Sequence, residues 1–203
     1  MTVMNRDGMR ECARTHLLAS AKVKRDVAAA CLGEIVAAAE MMIQTLRTGG
    51  KVMLCGNGGS AADSQHIAAE FTNRLSADLP RAPLAALALT TDTSFLTANA
   101  NDYGFEHVFE RQVQALGRDG DVLIGISTSG TSRNVVRAVQ CCRELHIKTV
   151  GLLGGNGGEV RPLVDVAIVV PSTSTQHVQE AHITIGHIVS ELVEEALFGQ
   201  ARA

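Results

Sequence analysis

His66 and Glu70 are the first pair of side chains whose types and spacing could do chemistry. They stand four positions apart in a stretch that predicts a helix, so an imidazole and a carboxylate would share one helix face, about one turn apart. This spacing can chelate a metal ion, but similar pairs also occur as solvated side chains on helix surfaces. Both interpretations of the pair stay open at this point.

A second polar group, comprising Gln179, Glu180, His182 and His187, falls near the end of the chain in another predicted helix. His182 and His187 are about 140° apart around a helix, so only one can share a face with a ligand set, and one of them is expected to be a hydrogen-bonded structural histidine. Gln179 and His187 are about 80° and about 12 Å apart, too far for easy chelation of one ion from a regular helix. Either Gln179 precedes the first full turn, or the two act from different subunits.

Two further segments, Gly56–Ser60 (GNGGS) and Ser127–Ser132 (STSGTS), each follow an apolar run that predicts a strand. The hydroxyls of the second segment and the free N–H groups of a helix start suit the dispersed charge of a phosphate. The lysine of a GxxxxGK[ST] loop is missing, which disfavours a nucleotide triphosphatase. An ordinary Ser/Thr helix cap and a tight turn are the alternatives. Because ligands bind beyond the carboxyl ends of parallel strands, the two segments together favour a phosphate site.

The elements that must position these residues alternate along the chain. Residues 9–47 lack proline and favour two helices, which end at Gly49–Gly50. Five strands are predicted at Lys51–Cys55, Leu84–Leu89, Asp121–Ile126, Lys148–Leu153 and Val164–Val170. Helices are predicted between and after them at Ala61–Phe71, from about Thr93, at Glu106–Leu116, Thr131–Leu145 and Gln176–Phe198. This order predicts an α/β protein, a three-layer αβα sandwich around a parallel sheet of about five strands, with a helical N-terminus and a long C-terminal helix.

Composition excludes several classes of function. The 203 residues, 46% of them hydrophobic, can bury one substantial core. A net charge of -3 supplies no basic excess for nucleic acid, and a chain without tryptophan and with one tyrosine has few rings for stacking bases or sugars. No apolar run approaches the roughly 20 residues of a membrane helix, and the N-terminus has no signal-peptide block. We therefore expect a cytoplasmic protein with no nucleic-acid or membrane partner.

The five cysteines show no CxxC spacing, so zinc-finger and redox motifs are not indicated. We interpret all five as small buried hydrophobic residues in a reducing compartment.

Four segments together resemble the phosphoheptose isomerase family of sugar-isomerase (SIS) domains. They are GNGGSAADSQHIAAEF (56–71), NDYGFEHVFERQVQALG (101–117), GDVLIGISTSGTS (120–132) and QEAHITIGHIVSELVE (179–194), and the resemblance runs from about Lys51 to Gly199. It implies a single SIS domain over residues 1–203, with the helical region 1–48 used in oligomerisation. It also implies a homotetramer whose active sites are shared between subunits.

The resemblance implies interconversion of sedoheptulose 7-phosphate and D-glycero-D-manno-heptose 7-phosphate, on the way to nucleotide-activated heptoses. By motif position, one zinc ion per subunit would be held by His66, Glu70, Gln179 and His187. The expected substrate contacts are Asn57, Gly58, Gly59, Glu70, Asn101, Asp102, Ser127, Thr128, Ser129, Ser132 and Gln179. An aldose-ketose exchange through an enediol needs an acid/base pair, for which Glu70 and His187 are the candidates. Some family members carry an acid where this chain has Gln176.

Three rival functions remain compatible with the sequence. A non-catalytic SIS-domain adaptor that binds a replication initiator would share the sheet and the hydroxyl loop. An isomerase of another sugar phosphate, such as arabinose 5-phosphate, would share the phosphate site, and a binding-only sugar-phosphate sensor would need no turnover. The apolar terminal helices predict a homo-oligomer, with coverage of the sheet of a monomer as the alternative.

Overall fold

The computed structural model describes residues 4–199 and contains one five-stranded parallel sheet. Its strands are β1 (Val52–Gly56), β2 (Ala86–Ala88), β3 (Val122–Ser127), β4 (Lys148–Gly154) and β5 (Val166–Val170). They are arranged in the order β2-β1-β3-β4-β5. All residues of β1 and β3 are buried, which is why these runs lack alternation between apolar and polar residues. The predicted α/β class is confirmed.

Helices cover both faces of the sheet. They are α1 (Arg6–Ala30), α2 (Leu32–Arg47), α3 (Gly59–Thr72), α4 (Thr93–Asp102), α5 (Glu110–Leu116), α6 (Arg133–Glu144) and α7 (Thr175–Phe198). Side chains of α1, α2, α3 and α7 pack with Val52 and Leu54 on one face. Side chains of α5 and α6 pack with Met53 and Cys55 on the other, because successive residues of a strand point to opposite faces. The three-layer sandwich predicted from the sequence is confirmed.

Two predicted elements differ from the structure. The strand predicted at Leu84–Leu89 shortens to β2 at the sheet edge, because the amide of Leu84 donates to the carbonyl of Phe71 on α3 instead of to a neighbouring strand. The helix predicted at Glu106–Leu116 is divided into a 3-10 turn at Phe105–His107 and α5. A tertiary contact therefore sets the start of β2.

Four of the five cysteines are buried, as predicted, and all five are free thiols. Burial raises the pKa of Cys55 to about 12. The prediction is wrong for Cys12, which is exposed. It lies in the first half of α1, and the buried residues of that helix, Ser20, Val23 and Val27, all lie further along.

A buried ion pair joins the end of α3 to α7. The Arg81 Nε lies 2.6 Å from a carboxylate oxygen of Glu194, and both side chains are almost fully buried. Arg81 also donates to the backbone carbonyls of Glu70 and Phe71 at 2.6 and 2.9 Å, and Glu194 accepts from the amide of Leu75. The pair therefore caps the last turn of α3, where Glu70 is placed.

None of the described helices combines the length and apolar character needed to cross a membrane.

The Glu194→Gln change should lower the free energy of unfolding by about 3–5 kcal/mol, because it leaves the buried Arg81 charge without a counter-ion. Glu191→Gln, an exposed residue on the same helix, is the matched control and should change the stability by less than about 0.5 kcal/mol. Urea denaturation measures both. Equal losses in the two variants would contradict a stabilising role for the pair.

Candidate functional site

The strand order creates a crevice between β1 and β3. These strands are neighbours in the sheet, and Gly56 pairs with Ile126. Helix α3 follows β1 on one face of the sheet, and α6 follows β3 on the other face. A sheet of this order has its topological switch point there, and ligands bind at such points in open parallel sheets. The two segments singled out in the sequence, Gly56–Ser60 and Ser127–Ser132, lie on the two sides of this crevice.

The segment after β1 is shaped by two glycines. Gly58, the residue before α3, has φ +54, in the left-handed region that favours glycine. Gly59 lies against α7, where a Cβ atom would stand 2.2 Å from the side-chain nitrogen of Gln179. Because Gly59 has no side chain, the Gln179 amide can occupy this space.

Asn57 connects the two sides of the crevice. Its side-chain amide exchanges two hydrogen bonds with that of Asn134, at 2.9 and 2.8 Å. Asn134 is buried in the first turn of α6. The sequence reasoning missed Asn134, and a buried amide shortly after a hydroxyl-rich loop is the signal that could have identified it.

The hydroxyls of Ser127–Ser132 are organised by one another. The Ser127 and Ser132 Oγ atoms are 3.0 Å apart, and the Ser127 Oγ accepts from the amide of Gly130. Ser132 is the N-cap of α6, yet its side chain makes no capping hydrogen bond to the helix. The ordinary N-cap interpretation therefore does not account for this serine. The first amides of a helix have no intrahelical partner and suit an anion.

A second glycine-rich segment holds this loop in place. Gly130 has φ +68, and a Cβ atom on it would stand 2.0 Å from the carbonyl oxygen of Gly157. The carbonyl of Gly130 also accepts from the amide of Val160. The close approach of two backbones fixes the hydroxyl loop, and the sequence reasoning assigned no role to Gly157.

His66, Glu70 and His187 form a cluster on α3 and α7. The Nε2 of His66 lies 2.9 Å from Glu70 Oε1 and 3.0 Å from the Nε2 of His187. One ligand atom from each residue falls within 4.8 Å of the others. Two imidazole nitrogens and a carboxylate oxygen are ligands that zinc accepts, so this donor set fits a zinc ion. The pair predicted at four-residue spacing is thus joined by His187, as the resemblance implied.

Gln179 reaches the same side of α3 one turn earlier. Asp63 is its neighbour there and also lies near His66 and His187. Burial raises the pKa of Asp63, and these three neighbours oppose the rise. Asp63 was missed by the sequence reasoning, although it stands three positions before His66 and so on a neighbouring part of the same helix face.

Gln179 and His187 lie two turns apart in one regular helix, so the separation predicted from the sequence is present in the single chain. Helix α7 begins at Thr175, so the idea that Gln179 precedes the first full turn is wrong. The alternative that the two act from different subunits stays a prediction. Helices α3 and α7 run side by side in the same direction, and each ligand candidate on α7 meets a different turn of α3. One chain therefore brings both side chains to α3.

His182 is the structural histidine. It is fully buried, and its Nε2 lies 3.0 Å from the carbonyl oxygen of Leu153, to which the neutral ring can donate. Burial lowers the pKa of His182 to about 4, so the ring is neutral near pH 7. The expectation that one of the two histidines is structural is confirmed.

Asn101 and Asp102 stand apart from the cluster in the single chain. They lie on the exposed end of α4, where the Asn101 amide donates to Asp102 at 2.8 Å. Among the described residues, no hydrogen bond connects them to the crevice.

A five-stranded parallel sheet that carries a hydroxyl-rich loop at its switch point defines the class of this protein. Residues 17–154 match the family model of the SIS domain.

Curated relatives give the particular family. The chain is 54% identical over 182 residues to the phosphoheptose isomerase of Chlorobaculum parvum, covering 89% of this chain and 87% of the relative. It is 50% identical to that of Aneurinibacillus thermoaerophilus, covering 94% and 96%. The solved phosphoheptose isomerase from Neisseria gonorrhoeae has a TM-score of 0.87 at 45% identity, covering 92% of this chain and 99% of that one. The chain belongs to the phosphoheptose isomerase family of SIS-domain proteins.

Gly59→Ala should lower isomerase turnover by about 10- to 100-fold, because the new methyl group displaces the flexible end of Gln179 by an ångström or more. Gly33→Ala is the matched control, since a Cβ atom there meets nothing within 4 Å. Turnover and the midpoint of thermal unfolding are measured for both variants. Full turnover in Gly59→Ala, or an equal loss in both, would contradict the role given to this contact.

Proposed function

We propose that this protein interconverts sedoheptulose 7-phosphate and D-glycero-D-manno-heptose 7-phosphate, as an aldose-ketose isomerase in the formation of nucleotide-activated heptoses. The observations that carry the proposal are the cluster of His66, Glu70 and His187 on α3 and α7, with Gln179 nearby, and the hydroxyl loop after β3. Relatives named phosphoheptose isomerase, about half identical over most of their length, support the same substrate.

The substrate would lie across the crevice. Its phosphate would bind to the loop after β3, where the hydroxyls and the free amides at the start of α6 can donate to it. The sugar hydroxyls would meet the segment after β1. The proposed contacts are Asn57, Gly58, Gly59, Glu70, Ser127, Thr128, Ser129, Ser132 and Gln179, together with Asn101 and Asp102.

The proton transfers fall to Glu70 and His187. Isomerisation removes a proton from C1 of the ketose, passes through an enediol and returns a proton to C2, while a second proton moves between the two oxygens. Glu70 would accept and return the carbon-bound proton, and His187 would transfer the oxygen proton. The Arg81 hydrogen bonds to the backbone of Glu70 and Phe71 hold the last turn of α3, and so position this carboxylate.

His66, Glu70, Gln179 and His187 would hold one zinc ion per subunit. When bound there, zinc supplies Lewis-acid polarisation of the sugar carbonyl. A carboxylate that binds a metal tightly is a poorer base, so the two roles of Glu70 compete. With zinc at this site, Glu70 would be the stronger base when it is not one of the ligands of the ion, and we propose that it acts as the base in that state.

Glu70→Gln should lower turnover of sedoheptulose 7-phosphate by 10²- to 10⁴-fold, because the amide cannot accept the carbon-bound proton. NMR of the C1 and C2 positions follows the product, with and without a chelator and with zinc restored. Glu144→Gln, an exposed carboxylate on α6, is the control and should turn over normally.

Near-normal turnover in Glu70→Gln would exclude Glu70 as the base. Absence of turnover in the folded, zinc-loaded wild type would instead favour another sugar phosphate or a non-catalytic SIS adaptor.

We also propose that the chain forms one SIS domain over residues 1–203 and assembles as a homotetramer through region 1–48. Residues 1–3 and 200–203 of that range lie outside the described part of the chain. Large apolar side chains on α1 and α2 are exposed in the single chain, with Leu17 69%, Leu18 61% and Leu32 60% accessible. Shared active sites would give Asn101 and Asp102, which stand apart in one chain, a way to reach the substrate of a neighbouring subunit.

Sedimentation equilibrium of the full chain should give four times the 21.4 kDa of one chain. Leu17→Gln combined with Leu18→Gln should weaken the assembly, because it removes apolar area from the proposed interface. Leu116→Gln, an exposed leucine outside region 1–48, is the control. A monomeric wild type would contradict the proposal.

We further propose that the protein works in the cytoplasm and without a nucleic-acid partner. The free thiols support a reducing compartment. The net charge of -3 argues against phosphate-backbone binding.

A further inference from the structure

A second group of metal-binding side chains lies outside the crevice, between α1 and the start of α7. It consists of His16, His177 and Glu180, and one ligand atom from each falls within 4.8 Å of the others. The His16 Nε2 lies 3.0 Å from Glu180 Oε1, and the ring centroids of His16 and His177 are 4.5 Å apart. This group is called the α1–α7 cluster below.

The carboxylate of the α1–α7 cluster is held in place by neighbouring residues. The Ser20 hydroxyl donates to the second oxygen of Glu180, and the Lys24 ammonium donates to the Ser20 Oγ at 2.9 Å. Glu180 therefore keeps Oε1 towards His16. Metal-binding carboxylates usually have such supporting hydrogen bonds, which fix the direction of the ligand.

His177 has a polar atom for which the fold supplies no partner. Its Nε2 is buried and makes no hydrogen bond within the described part of the chain. A buried polar group left unpaired destabilises the folded protein. An apolar residue at this position would avoid the loss of stability from an unpaired polar atom. Packing alone therefore does not explain the imidazole.

We propose that the α1–α7 cluster is a second zinc site, which fastens the first half of α1 to α7. Two imidazoles and one carboxylate suit zinc, whereas calcium and magnesium prefer oxygen ligands throughout. The neighbouring Lys24 charge opposes the binding of any cation, so the two imidazole nitrogens must supply the affinity, and zinc binds these more strongly than calcium or magnesium does. Three protein donors leave a fourth tetrahedral position for water.

The position of the cluster explains what the ion would do. Within the single chain the buried residues of α1 are Ser20, Val23 and Val27, so apolar packing against its own chain holds only the later part of the helix. His16 lies one turn before Ser20 and is the point at which the exposed part of α1 meets α7. An ion that binds the folded helix pair and not the unfolded chain stabilises the pair, by an amount that increases with the free ion concentration.

The α1–α7 cluster shares no residue with the His66, Glu70 and His187 cluster. Glu180 follows Gln179 directly, but consecutive residues of a helix point about 100° apart, so one faces α1 and the other faces α3. Binding at the two places is therefore separable by mutation.

The test counts zinc ions per chain. The full chain is stripped with a chelator and titrated with zinc chloride by calorimetry, and bound metal is measured by mass spectrometry. The wild type should bind two ions and His16→Phe should bind one, because phenylalanine keeps the ring contact with His177 but offers no ligand. His187→Ala should also bind one ion, retained at the α1–α7 cluster. His146→Asn, which replaces an exposed histidine with φ +58 by a residue that tolerates it, should keep both.

Hydrogen exchange of residues 6–20 gives a second readout, compared between variants that sedimentation shows to have the same assembly as the wild type. Zinc should slow exchange there by about tenfold or more in the wild type and His187→Ala, and leave it unchanged in His16→Phe. Two outcomes would overturn the proposal: a wild type that binds one ion which His16→Phe retains, or a His16→Phe variant that still binds two. Because His16 is on the surface of α1, its replacement leaves the core packing intact, and circular dichroism checks that the variant folds.

Discussion

The parallel pairing of β1 with β3 is the contact on which the rest of the structure depends. Because β2 lies on the other side of β1, the chain leaves β1 by α3 on one face and leaves β3 by α6 on the opposite face. The two helix starts therefore diverge and open a crevice between them. Asn57 and Asn134 join its two sides by a reciprocal pair of hydrogen bonds. These bonds fix the distance between the two loops that carry the candidate substrate contacts.

Side-by-side packing of α3 and α7 then assembles the chemistry. Gly59, His66 and Glu70 lie on the face of α3 towards α7, where Gly59 meets Gln179 and His66 meets His187. The absence of a side chain at Gly59 is what allows the helices to come this close at their first turns. At the other end, the buried Arg81–Glu194 pair closes the last turn of α3 against α7. The candidate catalytic side chains lie between a glycine contact and an ion pair, and both contacts fix the separation of the two helices.

Helix α7 contacts two different helices, α3 and α1, through residues that are adjacent in the sequence. Gln179 faces α3 and the crevice, while Glu180 faces α1. His182, further along, turns inward to the carbonyl of Leu153 and has a lowered pKa because it is buried. The same helix therefore carries a candidate metal ligand, a carboxylate that contacts α1 and a structural histidine. The rotation of about 100° per residue keeps these roles apart.

The sequence by itself determined the α/β class, the order of the strands along the chain, and the identity of the two loops and the His66–Glu70 pair. These features are local, because apolar runs, glycine breaks and helical spacing can each be recognised within a few residues. Contacts between distant segments could not be predicted from the sequence. Asn134, Asp63 and Gly157 were missed for this reason, and so was the contact of Gln179 with Gly59. Only the tertiary structure decided that α3 and α7 run in the same direction and that Cys12 lies in solvent. Both depend on which faces pack together, and the period of a single helix does not specify its partner.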